Sequence, residues 1–187
     1  IPVDSEYIIF IIDTSGSMFS YAWDRMLIEM EATLNIYPEV KGIQVLNDMG
    51  NYLFSRYRGQ WIPDTPARRS LILRNLTNWN VFSNSSPVEG ITAAVRTFYD
   101  PKKKMSIYVF GDEFTGESIR SVVETVDRLN AQNFGGERRV RIHGVGVPVQ
   151  FIRPPALQVT GVRFATLMRE LTYKNGGTFV GLNNFRP

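Results

Sequence analysis

The chain has 187 residues, a formal charge of +3 and a pI near 9.3, with 43% hydrophobic, 12% aromatic and 21% charged residues. That balance supports a packed core and is not the composition of a disordered chain. With no cysteine and one histidine, disulfides, thiolate nucleophiles and zinc–thiolate sites are excluded, and the mild basicity falls short of a nucleic-acid footprint.

Residues 1–187 fit one domain, and a start at Ile1 rather than Met reads as a piece cut from a longer protein. The longest apolar run, Tyr7–Ile12, is far shorter than the ~20 residues a membrane helix needs. That run is apolar at every position, as in a strand buried on both faces of a parallel sheet. From Met18 to Ile36 the spacing changes. Ala22, Met26, Met30 and Leu34 recur every four residues, a helix stopped by Pro38.

A short strand follows around Ile43–Leu46. The turn "NDMGN" and a second run, Tyr52–Tyr57, predict an antiparallel hairpin. Pro66 opens the next helix, capped by Asp64 or Thr65. Residues 77–86 are loop. Ser86, Pro87 and Glu89 mark another helix start, with Ser86 and Glu89 forming a capping box.

"MSIYVFGDE" is a further buried strand ending at Gly111-Asp112. Glu117–Ala131 is helical, Arg139–Val147 a strand, and Val162–Asn175 a helix closed by Gly176. "TFVGL" is a last strand. This alternation predicts an α/β fold, a mostly parallel sheet with helices on both faces.

Parallel sheets bind ligands beyond the carboxyl ends of their strands. Asp13 and Asp112 both stand at such ends. Ser15 and Ser17 lie two and four residues beyond Asp13, with Gly16 permitting a tight turn between them. The loop with Ser83, Ser85 and Ser86 returns to the same end. Carboxylates and hydroxyls without thiol or imidazole form an all-oxygen set, which suits Mg²⁺, Mn²⁺ or Ca²⁺.

"IIFIIDTSGSM" resembles the metal-ion-dependent adhesion site of von Willebrand factor type A domains, whose first motif is Asp-x-Ser-x-Ser after a buried strand. The family's threonine before the third helix is replaced here by serine, Ser86 or its neighbour Ser85. Its aspartate, usually in Thr-Asp-Gly, resembles Asp112 in Gly111-Asp112-Glu113. The resemblance implies a three-layer, Rossmann-like fold with one antiparallel edge strand. It implies a cation held by Asp13, Ser15, Ser17, Ser86 and Asp112, and a protein ligand offering Asp or Glu. The family's usual final helix is missing from this chain or cut off.

The expected function is therefore cation-dependent protein binding. A magnesium-dependent hydrolase or phosphotransferase is the alternative, but position 15 is serine where an aspartyl-nucleophile enzyme would place a second acid, and no phosphate-cradling glycine motif is present. A metal-free scaffold is the third reading. Phe19, Trp79, Phe82, Phe114 and Phe151 fall in loops at the cation end and are expected to line a partner surface. His143 reads as a packed strand residue. The clusters at 68–69, 102–104 and 138–139 read as solvated, scattered faces.

Overall fold

A computed structural model describes residues 4–116, 118–131 and 138–186. Five strands form one sheet: β1 (Tyr7–Ile12), β2 (Gly42–Asn47), β3 (Met105–Gly111), β4 (Arg141–Gly146) and β5 (Phe179–Gly181). Their order is β2-β1-β3-β4-β5, and every pair is parallel. Strands β1, β2 and β3 are almost wholly buried, because helices cover both faces.

Alternation along β1 divides the core. Ile8, Phe10 and Ile12 pack with Met26, Met30 and Leu34 of α1 (Trp23–Ile36) and with Ile72 and Leu76 of α2 (Pro66–Leu76). Ile9 and Ile11 face the other way. They meet Ile91 and Val95 of α3 (Val88–Phe98), Val126 of α4 (Ile119–Leu129) and Leu167 of α5 (Val159–Lys174). Each fully buried side chain of this kind contributes about 1.5–3 kcal/mol.

Among the described residues the expected antiparallel edge strand is not present; the five-stranded sheet is parallel throughout. The segment after β2 touches it only at single antiparallel bridges, Leu46–Tyr52 and Ile43–Ile62. Between them the chain bulges outward through a 3₁₀ turn, Ser55–Tyr57, and Gly59 at φ 68°. The buried Gln44 side chain fills the gap, its amide donating to the carbonyls of Tyr57 (2.9 Å) and Gln60 (2.6 Å). A glutamine thus replaces the missing ladder rungs.

Helix boundaries hold within a few residues: α1 begins at Trp23 rather than Met18, and α4 runs inside the expected Glu117–Ala131, whose first residue lies outside the described residues. Helix α5 starts at Val159, three residues before the expected Val162; it ends where Gly176 adopts φ 66°. The capping box at Ser86 and Glu89 does not form: Pro87 holds the cap position of α3, with no side-chain cap bond. The strand histidine behaves as expected. His143 is buried in β4 and stacks on Tyr108 at 4.8 Å, and its Nδ1 accepts the Thr178 N–H. Burial lowers its pKa to about 4.

Helix α2 is tied to α1 by Arg69. Its guanidinium grips both oxygens of Asp64 at 2.7 and 2.6 Å and donates to the carbonyls of Leu34 and Tyr37. Asp64 also accepts the Val40 N–H. Burial works to raise the Asp64 pKa, but the bonds from Arg69 and Val40 outweigh it and hold the group below its ordinary value. Arg69→Met strands a carboxylate and two carbonyls, so it is expected to cost about 2 kcal/mol near neutral pH. A depressed carboxylate contributes stability above its unfolded pKa and loses it on acidification. Urea titrations of both proteins should therefore show the gap closing below about pH 4.

Candidate metal centre

Three carboxylates crown three adjacent strands. Asp13 follows β1, Asp112 follows β3, and Asp48 follows β2. The Asp13 N–H donates to the Phe110 carbonyl and the Asp48 N–H to the Ile12 carbonyl, at 2.9 and 3.0 Å. Parallel pairing thus carries all three to one height. They are 4%, 2% and 2% exposed, respectively.

The loop after β1 folds over them. The Ser15 N–H donates to Asp13 Oδ1 at 2.8 Å, closing a tight turn. The hydroxyls of Ser15 and Ser17 then stand 3.1 Å apart, and Ser17 donates to Asp112 Oδ1 at 3.2 Å. A π-helical turn, Met18–Ala22, follows before α1, a distortion frequent at functional sites.

The serine loop closes the other side, though not as its sequence suggests. Ser86 reaches Asp48 through its main-chain N–H, at 3.2 Å from Oδ2. It is Ser83 whose hydroxyl donates to Asp13 Oδ1, at 3.3 Å, while Ser85 donates to Glu113 Oε1 at 3.4 Å. Ser85 has φ 55°, an uncommon conformation for a residue with a side chain. The Thr115 N–H holds it there through the Ser85 carbonyl. Strain of this kind clusters at binding sites.

Gln150, at the start of the loop after β4, donates to Asp112 Oδ2 at 2.6 Å. Asp48, Ser83, Glu113 and Gln150 thus join the site beyond the residues expected. Asp48 had a readable signal, since it too follows a buried strand; the "NDMGN" turn masked it.

Electrostatically the cluster is under tension. Burial pushes the Asp13 pKa well up, and the charges of Asp48 and Asp112 push it further. Burial also raises Asp48, against hydrogen bonds from Ser83 and Ser86. Asp112 is raised to about 6, chiefly by burial. Among the described residues no ion pair involves any of the three. Asp13 Oδ2, Asp48 Oδ1 and Gln150 Oε1 are buried without a hydrogen-bond partner. Among the described residues no three acidic or imidazole side chains close on a single point. Hydroxyls and water would have to complete any cation shell.

Several solved structures share this architecture. A von Willebrand factor type A protein from Catenulispora acidiphila superposes with a TM-score of 0.67 at 14% identity, over 97% of this chain and 39% of that one. The SpRpn10 VWA domain gives 0.58 at 14% identity, over 95% and 88%. The fold is that of a von Willebrand factor type A domain. Proximal thread matrix protein 1 from the mussel byssus also matches, with a TM-score of 0.60 at 12% identity, over 97% of this chain and 44% of that one. No protein-family model matches the sequence, and no curated protein matches it either. The chain thus spans less than half the length of two of these three relatives.

The expected aromatic rim of this type A fold is only partly formed. Trp79 and Phe114 are buried in the core, and Phe19 stacks on Trp23 at 4.0 Å. Phe114 turns inward because its N–H is anchored to the Thr160 carbonyl, and its ring fills the space over α5. Phe82 (80% exposed) and Phe151 (46%) do face solvent. Each is one residue from a site side chain, Ser83 and Gln150.

Proposed function

We propose that this type A domain is a cation-dependent protein-binding module. The carrying observation is the buried, unpartnered Asp13 Oδ2 beside two further carboxylates with no counter-cation among the described residues. Such a group costs several kcal/mol unless a positive charge offsets it. The residues present fit a hard dication. Asp13, Ser15, Ser17 and Asp112 would hold it, with Ser83 or Ser86 at the serine-loop side and Asp48 balancing charge from behind. When bound, Mg²⁺ or Mn²⁺ supplies a Lewis-acidic position for an acidic side chain of a partner.

The chain's own residues do the rest. The Ser83 hydroxyl and the Ser15 N–H hold Asp13 Oδ1 and leave the buried Oδ2 without a hydrogen-bond partner. Gln150 fixes Asp112. Phe82 and Phe151 offer apolar contact beside the acidic anchor. A peptide display selection in Mg²⁺ tests this reading. Captured peptides are expected to share an Asp or Glu, to lose binding when it becomes Asn or Gln, and to elute in EDTA. Capture that survives chelation would sink the proposal. Phe82→Ser with Phe151→Ser should weaken the peptides roughly tenfold while leaving the cation-induced rise in melting temperature intact.

A further inference from the structure

The opposite pole of the sheet carries a concave site. Lys102, Lys103 and Lys104 lie on the turn before β3, Arg138, Arg139 and Arg141 lead into β4, and Lys174 ends α5. Together they line a cavity of about 660 Å³. The sequence reading of these clusters as scattered is corrected here: parallel pairing of β3 with β4 sets the two basic segments side by side. Among the described residues, seven cations line the cavity against two carboxylates, Asp4 and Asp100. The whole chain has a surplus of only three, so the rest of the molecule is net acidic.

Part of this charge is already committed. Arg141 pairs with Asp4, Lys103 with Asp100 and Arg138 with Asp127. Arg139 lies over the Tyr99 ring, 4.8 Å from its centroid. Lys102, Lys104, Arg139 and Lys174 have no carboxylate partner among the described residues, and all four are exposed. Helices α3 and α5 both end at this pole, and each C-terminus attracts a cation. That accounts for Lys174. It does not account for cations on the turns before β3 and β4.

We infer that this cavity binds a compact polyanion bearing several phosphate or sulfate groups. Its volume lies within the range of small-ligand sites, roughly 300–1,000 Å³. Four cations without a carboxylate partner among the described residues, around one concavity, match several anionic groups at once, and Arg139 can take one bidentately. A nucleic-acid strand fits less well, since it needs an extended basic track with successive stacking rings. Among the described residues lining it, only Tyr173 offers a fully exposed ring. The strands separate this site from the carboxylate cluster by about 20 Å.

Titration calorimetry with inositol hexakisphosphate and with sucrose octasulfate, at physiological ionic strength in EDTA, tests the inference. One saturable site is expected. Lys104→Glu with Arg139→Glu should lower its affinity roughly tenfold or more, with the melting temperature unchanged. If that variant fails to fold, Lys102→Gln with Lys174→Gln serves, with a smaller loss. Arg56→Glu with Arg58→Glu, on the edge bulge, should bind as the wild type does. Asp13→Ala should too, which separates this site from the cation site. Vesicles of phosphatidylcholine carrying a phosphatidylinositol bisphosphate distinguish the source. Binding to both probe and vesicle assigns a lipid headgroup, and binding to the soluble probes alone assigns a free ligand. No heat with either soluble probe, equal loss in the Arg56/Arg58 control, or tighter binding of a single-stranded oligonucleotide would each overturn the inference.

Discussion

Asp13→Asn is expected to melt above the wild type in EDTA and below it in saturating Mg²⁺ or Mn²⁺. The amide keeps the Oδ1 that accepts the Ser15 and Ser83 bonds but removes a buried charge facing Asp48 and Asp112. Relief of that repulsion should add about 2 kcal/mol, or roughly 4–8 °C for a chain of this length. The wild type gains instead from the cation, by about 2.7 kcal/mol at a hundredfold excess over Kd. The two curves must therefore cross as cation is added. Scanning fluorimetry in EDTA and in Mn²⁺ reads both effects. A wild type blind to divalent ions would end the metal reading, as would an Asp13→Asn protein that keeps the full shift.

Acidification gives the same prediction another handle. Asp112 titrates near 6 when folded, against 3.8 unfolded, and Asp13 and Asp48 are also raised. The folded form therefore takes up protons first. Metal-free stability should rise as pH falls from about 7 toward 4, by about 2 kcal/mol from Asp112 alone. The cation-induced gain should shrink over the same window, because protons and cation compete for the same oxygens.

Gly90→Ala is expected to lower stability by about 2–4 kcal/mol, although alanine normally favours a helix interior by about 1 kcal/mol. Gly90 lies in the first turn of α3, and its N–H donates to the Asp48 carbonyl at 2.7 Å. A Cβ there would stand 2.8 Å from the Asn47 carbonyl oxygen and 2.9 Å from Ile11. Backbone cannot yield as a side-chain tip can, so α3 must move away from the strand tops. The serine loop just before α3 moves with it. The variant should lose both chemical stability and most of its response to Mn²⁺, readable in a urea titration with and without the ion. A neutral or stabilising result would show that α3 is free to shift, and that the serine loop is not held rigidly over the acids.

The sheet and the helices were legible because burial on both faces leaves uninterrupted apolar runs, and Tyr7–Ile12 matches β1 residue for residue. The convergence of Asp13 with Asp112 followed from strand ends alone. What escaped was set by non-local packing. Tyr52–Tyr57 has strand composition, but Gln44 outcompetes a ladder there. The hydroxyl that Ser83 places on Asp13, and the main-chain bond from Ser86 to Asp48, could not be read from the serine loop's sequence. Trp79 and Phe114 carry no local mark of pointing inward. The basic cavity needed the register of β3 on β4, which no single segment encodes.

The bulged segment beyond β2 has a consequence for how this molecule behaves in a crowded solution. The outermost strand on that side would otherwise present open amides and carbonyls to any passing extended peptide. Asn51 and Leu53 cover its upper half and Ile62 its lower, while the far border is a strand of just three residues. Neither flank offers a docking rail. Clipping the chain within 54–61, or shortening that excursion, should bare this edge and raise the rate of fibril formation followed by thioflavin fluorescence.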